Sequence, residues 1–188
     1  GTCYVQFKGK QILVDNLKVE LSSKPATIVV PDDFETIQDA ISASVAGDII
    51  EVKPDIYTGE GNTDIDFRGK AITLRSINGP NETIIECTEG QRGFHFFRGE
   101  GPDSVLRGFT IVGSNVSDIG GGIYCEFSSP SIIDCFIKDC SAELGGGIGA
   151  VDSSLSIINC VIEDCNAGDL EFSEIGYGGA ISLLSDSN

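Results

Sequence analysis

The chain has 188 residues and carries 29 Asp and Glu against 12 Lys and Arg, a net charge of −17, with 40% of its residues hydrophobic. That length fits one domain plus an appendage. The acidic excess argues against nucleic-acid partners and docking on anionic membranes, both of which need clustered cations, and no apolar run approaches the length of a membrane-spanning helix.

Residues 1–25 read as a β-hairpin appendage or as the tail of a preceding domain. Tyr4-Val5-Gln6-Phe7 and Gln11-Ile12-Leu13-Val14 flank a Lys8-Gly9-Lys10 turn. Leu17, Val19 and Leu21 alternate with Lys18 and Glu20 as a third strand, and Ser22-Ser23-Lys24-Pro25 has the composition of a linker.

From residue 26 the grammar changes. Asp32-Asp33-Phe34-Glu35 predicts a helix start, with Asp32 as N-cap and Glu35 reaching back as in a capping box. Phe34, Ile37, Ala40, Ile41 and Val45 then share one helical face. Gly47-Asp48 turns the chain into a strand at Ile49-Ile50-Glu51-Val52, so the helix is placed to cap the strands beyond it.

Those strands are repetitive. Short β-branched runs recur at Ile65-Asp66-Phe67, Ala71–Leu74, Thr83–Glu86, Phe94-His95-Phe96-Phe97 and Ser104–Ile111. The pattern then sharpens. Gly120-Gly121-Gly122-Ile123 leads to Ser131-Ile132-Ile133-Asp134-Cys135-Phe136-Ile137-Lys138-Asp139-Cys140. The same sentence returns as Gly145-Gly146-Gly147-Ile148 and Ser156-Ile157-Ile158-Asn159-Cys160-Val161-Ile162-Glu163-Asp164-Cys165, an offset of 25 (145 − 120). A third copy opens at Tyr177-Gly178-Gly179-Ala180-Ile181. A fixed period in the twenties marks a solenoid. Short strands between tight bends make it an all-β, parallel β-helix of about five coils, with the N-terminal α-helix as its cap. Cys135 is expected over Cys160, Ile137 over Ile162, and Asp134 against Asn159. The glycine triplets fit corners with positive φ. They do not fit a phosphate loop, because no helix start and no Lys-Ser/Thr comes after them. The array spans 26–188 and is expected to continue, since Ile181–Asn188 stops where another Ser-Ile-Ile-Asn-Cys block is due.

The stretch Ile28-Val29-Val30-Pro31, Phe34–Ile41 and Gly47–Tyr57 resembles the opening of the pectin-lyase-like superfamily. The Gly-Gly-Gly-Ile coils resemble the polymorphic outer-membrane-type repeats of bacterial surface proteins. This resemblance implies a right-handed β-helix. It implies no single activity, since lyases, esterases, adhesins and scaffolds share the architecture.

Catalysis by such a fold needs specific groups. A lyase needs a Ca²⁺ carboxylate cluster with a basic residue, and a hydrolase needs two convergent carboxylates. Asp64 and Asp66, near Arg68, are the candidates for calcium or for chemistry, although both also suit a solvated strand end around inward Phe67. Asp134, Asp139 and Asp164 repeat with the coils and read as architectural. His95 alternates with Phe94 and Phe96 and reads as a satisfied structural histidine. The seven cysteines lack the spacing of zinc knuckles. Cys135 and Cys160 read as core, Cys140 and Cys165 as bend residues able to bridge adjacent coils, and Cys3, Cys87 and Cys125 have no evident partner. Asn81-Glu82-Thr83 and Asn115-Val116-Ser117 are N-glycosylation sequons. From Ile148 to Ile181 the spacing is 33, eight more than 25. The surplus, with Asp169, Leu170, Glu171, Phe172 and Glu174, is either a contact loop or a loop folded over its own coil.

The expected function is a non-catalytic extracellular or cell-surface module: a scaffold, adhesin or fibre component. Its partners would be polysaccharide, other surface proteins or further copies, joined head to tail from the Ile181–Leu184 edge to the Tyr4–Val14 hairpin. No cofactor beyond calcium is expected. The alternative is a carbohydrate-active enzyme whose site lies mostly beyond residue 188.

Overall fold

The structure is a computed structural model that describes residues 3–7, 10–14, 25–168 and 178–185. Cys3–Phe7 and Lys10–Val14 form the expected antiparallel hairpin. The third strand proposed around Leu17–Leu21 and the loop carrying Asp169, Leu170, Glu171, Phe172 and Glu174 lie outside the described residues.

The rest is a parallel β-solenoid of about five turns. Each turn contributes one strand to each of three sheets. The first sheet stacks Thr27–Val30, Ile49–Val52, Thr73–Ser76, Val105–Arg107, Ser131–Ile133 and Ser156–Ile158. The second stacks Asp55–Thr58, Thr83–Glu86, Thr110–Val112, Phe136–Lys138 and Val161–Glu163. The third stacks Ile65–Asp66, Phe94–Phe96, Ile123–Glu126, Ile148–Val151 and Ile181–Leu184. A short fourth ladder pairs Ser141–Ala142 with Asn166–Ala167.

Strand alternation sends every second residue inward, and the register makes those residues into columns. Ile50, Leu74, Leu106, Ile132 and Ile157 stack inside the first sheet. Tyr57, Ile85, Ile111, Ile137 and Ile162 line the second, and Ile65, Phe94, Ile123, Ile148 and Ile181 the third. Phe67, Phe94, Phe96 and Phe109 fill the middle as one aromatic cluster, with Phe67 and Phe96 4.8 Å apart between ring centres. Burying one such side chain stabilises the fold by about 1.5–3 kcal/mol, and neighbouring coils share that gain.

The bends follow from chemistry at one position. Asp134, Asp139, Asn159 and Asp164 all have left-handed backbones (φ 54, 52, 53 and 51), a conformation Asn and Asp tolerate better than other non-glycine residues. The glycine triplets divide their work differently from the expected corner. Only Gly120 and Gly145 have positive φ. Gly122 and Gly147 are needed for closeness instead: a Cβ on Gly122 would lie 2.7 Å from Ile137 Cγ2 and 2.8 Å from the Gly147 carbonyl oxygen.

The cap also departs from expectation. The helix is Ile37–Ala43, its N-cap is Thr36, and Thr36 Oγ1 accepts from the Asp39 amide at 3.1 Å and donates to the Asp39 carboxylate at 2.8 Å. Asp32 and Asp33 are engaged elsewhere: Asp32 pairs with Lys53 at 2.7 Å, and Asp33 accepts from the Val29 amide. Ile37, Ala40 and Ile41 are buried, while Val45 is 55% exposed and leaves the apolar face. The strand Thr27–Val30 joins the first sheet, so pairing begins before Ile49. Gln38 completes the cover. Its amide donates to the Asp66 carbonyl at 3.0 Å and accepts from the Asp66 amide at 2.9 Å, taking the place of a neighbouring strand on an open sheet edge.

Candidate functional site

Outward residues stack in columns just as inward ones do, and these columns make the surfaces. On the second sheet the outer column is Ile56, Ile84, Thr110, Phe136 and Val161, one residue per coil. Ile56 is 56% exposed and Val161 45%. On the first sheet the outer column is Glu51, Arg75, Arg107, Ile133 and Ile158. Arg75 pairs with Glu51, and Arg107 with Asp134 at 2.9 Å. Asn159 joins this ladder by donating to Asp134 Oδ1.

A groove of about 740 Å³ runs between the first-sheet column and the overhanging Ile77–Pro80 turn, with Arg75, Arg107, Asp134 and Asn159 along its wall. A second groove of about 410 Å³ lies over the second-sheet column, and both share Pro80 and Phe136. Together they form a strip with apolar contact on one side and guanidinium and carboxylate groups on the other. Such a strip suits an extended ligand, which buries its apolar faces and hydrogen-bonds along its edges.

The third sheet carries a different surface. Asp66, His95 and Tyr124 form its outer column. His95 stacks on Tyr124 at 4.9 Å and on Phe97 at 4.3 Å. Arg98 lies over Phe97 at 4.6 Å and bonds Asp66 Oδ2 at 2.9 Å, while Arg92 lies over Tyr124 at 5.2 Å and pairs with Asp118. Two buried atoms here, His95 Nε2 and Arg92 Nε, have no hydrogen-bond partner among the described residues. The satisfied structural histidine expected from the sequence is thus an unsatisfied one, held by rings rather than by hydrogen bonds. Burial, then the neighbouring Arg92, pushes its pKa down, so the ring is neutral at pH 7. Burial raises the Tyr124 phenol.

The residues singled out in the sequence are scattered over these surfaces. Asp64 accepts from the Arg92 amide at 3.0 Å. Asp66 accepts from the Arg68 amide at 2.6 Å and holds Arg98. A calcium ion at this corner would have to displace Arg98, and no three metal-ligating side chains converge among the described residues. Asn81 is exposed beside the second groove. Asn115 is exposed on the far side, its side-chain oxygen accepting from Ser141. Cys140 and Cys165 occupy equivalent bends one coil apart, as free thiols. Cys87 and Cys125 are buried free thiols, and burial drives the Cys87 pKa up to about 12.

Compared with protein-family models, curated proteins and solved structures, the chain matches none. The described residues define a class, the parallel β-solenoids, and the functional reading rests on the surfaces above.

Proposed function

We propose that this chain is a non-catalytic module of an extracellular or cell-surface protein, acting as a scaffold, adhesin or fibre component. The carrying observation is the outer column Ile56, Ile84, Thr110, Phe136 and Val161, which carries an apolar side chain on four of its five coils, interrupted at buried Thr110, beside a charged edge. Repetition along an axis favours a long partner over a small substrate: a polysaccharide, another surface protein or a further copy of the chain. A right-handed coil and kinship with the pectin-lyase-like superfamily belong to the same reading, supported by the helix-capped stack and the Gly-Gly-Gly-Ile coils.

The test pairs binding with turnover. Immobilised protein is offered pectic, alginate and neutral polysaccharides and cell-surface extracts, beside a Phe136→Lys/Val161→Lys variant. Binding that the double variant weakens tenfold or more supports the reading. Reproducible cleavage of polygalacturonate or alginate, with or without Ca²⁺, overturns it.

One observation favours a carbohydrate-active enzyme as the second reading. Asp66, His95 and Tyr124 are titratable groups on three successive coils with two arginines beside them, and cleavage abolished by His95→Gln would place the chemistry there.

A further inference from the structure

Four thiols meet in pairs through the same local motif. Each follows a left-handed Asp or Asn, and each Sγ lies against the carbonyl two residues back: Cys135 to Ile133 at 3.3 Å, Cys140 to Lys138 at 3.2 Å, Cys160 to Ile158 at 3.4 Å and Cys165 to Glu163 at 3.3 Å. The strands between them are in register from Phe136↔Val161 to Lys138↔Glu163, and Ser141↔Asn166 continues that register beyond the second bend. Cys135 therefore stacks with Cys160, and Cys140 with Cys165. Cys135 and Cys160 belong to the core as expected, and so do Cys140 and Cys165; all four also follow bends, so the two pairs are alike. Neighbouring strands are spaced about 4.8 Å apart, inside the Cα range of about 4.4–6.8 Å that disulfides occupy.

We propose that Cys135–Cys160 and Cys140–Cys165 are two inter-coil dithiol sites that close to disulfides, stitching the same two coils on either side of one strand pair. Cys125, by contrast, stacks between Phe96 and Ala150 and has no thiol opposite it.

The pairs have a built-in order. Among the described residues Cys135 and Cys140 are buried and Cys160 and Cys165, one coil further out, are half-buried, so in this chain each pair offers one more accessible sulfur. The reachable sulfur is also the easier to ionise. The deeper thiol hydrogen-bonds to it and lowers its pKa at both Cys160 and Cys165. The same bond, with burial, raises Cys135 and Cys140. Thiolates, not thiols, attack disulfides.

The oxidant is a small-molecule disulfide such as oxidised glutathione. The Cys165 thiolate attacks one of its sulfurs, the oxidant's S–S bond breaks, and one glutathione thiolate leaves and takes up a proton. Cys140 then loses its proton to solvent and attacks the Cys165 sulfur, expelling the second glutathione. Two protein thiols are oxidised by two electrons and one oxidant disulfide is reduced to two thiols. Cys160 and Cys135 react in the same sequence.

The order gives an asymmetric test. Native, reduced full chain in a Cys3→Ser background is treated with oxidised glutathione, the remaining thiols are alkylated, and the products are mapped by mass spectrometry. Cleavage at Lys138, Glu143 and Glu163 separates all four cysteines. The expected product has both bridges and has lost two hydrogens per bridge. Cys140→Ser should trap a glutathione adduct on Cys165, and Cys135→Ser one on Cys160. Cys165→Ser and Cys160→Ser should leave Cys140 and Cys135 unmodified. Protection of Cys125 from alkylation certifies that each variant is folded; a variant that fails this is replaced by the corresponding Cys→Ala. The proposal is overturned if all four thiols take up the alkylating reagent once the oxidised, folded protein is denatured, if the bridges join other pairs, or if adducts form on Cys135 or Cys140.

Discussion

Asn159 donates its side-chain amide to Asp134 Oδ1 at 2.7 Å, joining two residues that hold the same bend on successive coils. At this bend one of the two donates, whereas the second bend of the same coils stacks two carboxylates, Asp139 and Asp164. The amide is the main reason that the Asp134 carboxyl lies below its ordinary value, with Arg107 adding to it.

Asn159→Asp should therefore lower the melting temperature at pH 7. A carboxyl depressed on folding contributes stability above its unfolded value, and loses it as pH falls through the folded value. The parent thus weakens as acid protonates Asp134, while the variant is relieved of repulsion when either carboxyl is protonated. The gap between them should narrow below about pH 4. Paired thermal melts across pH check this, and equal stability at pH 7 would count against the ladder.

Lys70 closes the cap helix from another coil. Its Nζ donates to the carbonyls of Ile41, Ser42 and Ser44 at 2.6, 2.9 and 2.7 Å, the groups that a helix C-terminus leaves without partners. Lys70→Met keeps much of the packing and removes the donors, and should cost about 1–3 kcal/mol. Denaturant unfolding measures the loss. Hydrogen exchange should place it in the helix Ile37–Ala43 and not in the coils beyond the Phe cluster.

Two glycines should respond oppositely to alanine. Gly101 has an ordinary φ and open space where a Cβ would stand, so Gly101→Ala should be neutral or stabilising by up to about 1 kcal/mol. Gly122→Ala drives a methyl into Ile137 and a backbone carbonyl and should cost about 1–3 kcal/mol. Adding Ile137→Leu, which removes the Cγ2 methyl that the new Cβ would meet, should recover part of that cost, making the pair non-additive in a double-mutant cycle.

Ile137 itself lies fully buried in the second-sheet column. Ile137→Ala should cost about 2–5 kcal/mol, and Ile137→Asp should prevent folding, because it places an unpaired charge in the core. A soluble Ile137→Asp variant that melts cooperatively would refute the register.

The late coils were legible in the sequence because stacking puts like residues on like. Ile132 over Ile157 and Ile137 over Ile162 follow directly from the offset of 25. The early coils drift, and there the sequence misleads. Asp66, His95 and Tyr124 are each 29 residues apart (95 − 66 and 124 − 95), so the offset of 25 does not align them, and only lateral pairing reveals the ring stack. The cap failed for another reason. Asp32 and Thr36 are equally good N-caps four residues apart, and the difference between them is tertiary: Lys53 claims Asp32. The glycine triplets read from sequence as positive-φ corners, which holds for Gly120 and Gly145; that Gly122 and Gly147 answer to the adjacent coil instead is visible only in the stack.

The outer column from Ile56 to Val161 advances by one strand spacing per coil, about 4.8 Å, so its four steps span about 19 Å along the axis. Such a surface is a ruler. Duplication or loss of one 25-residue unit would lengthen or shorten the reading edge by one graduation and leave the chemistry of every other mark untouched. Reach can then evolve by copy number, without any change to the local packing on which folding depends.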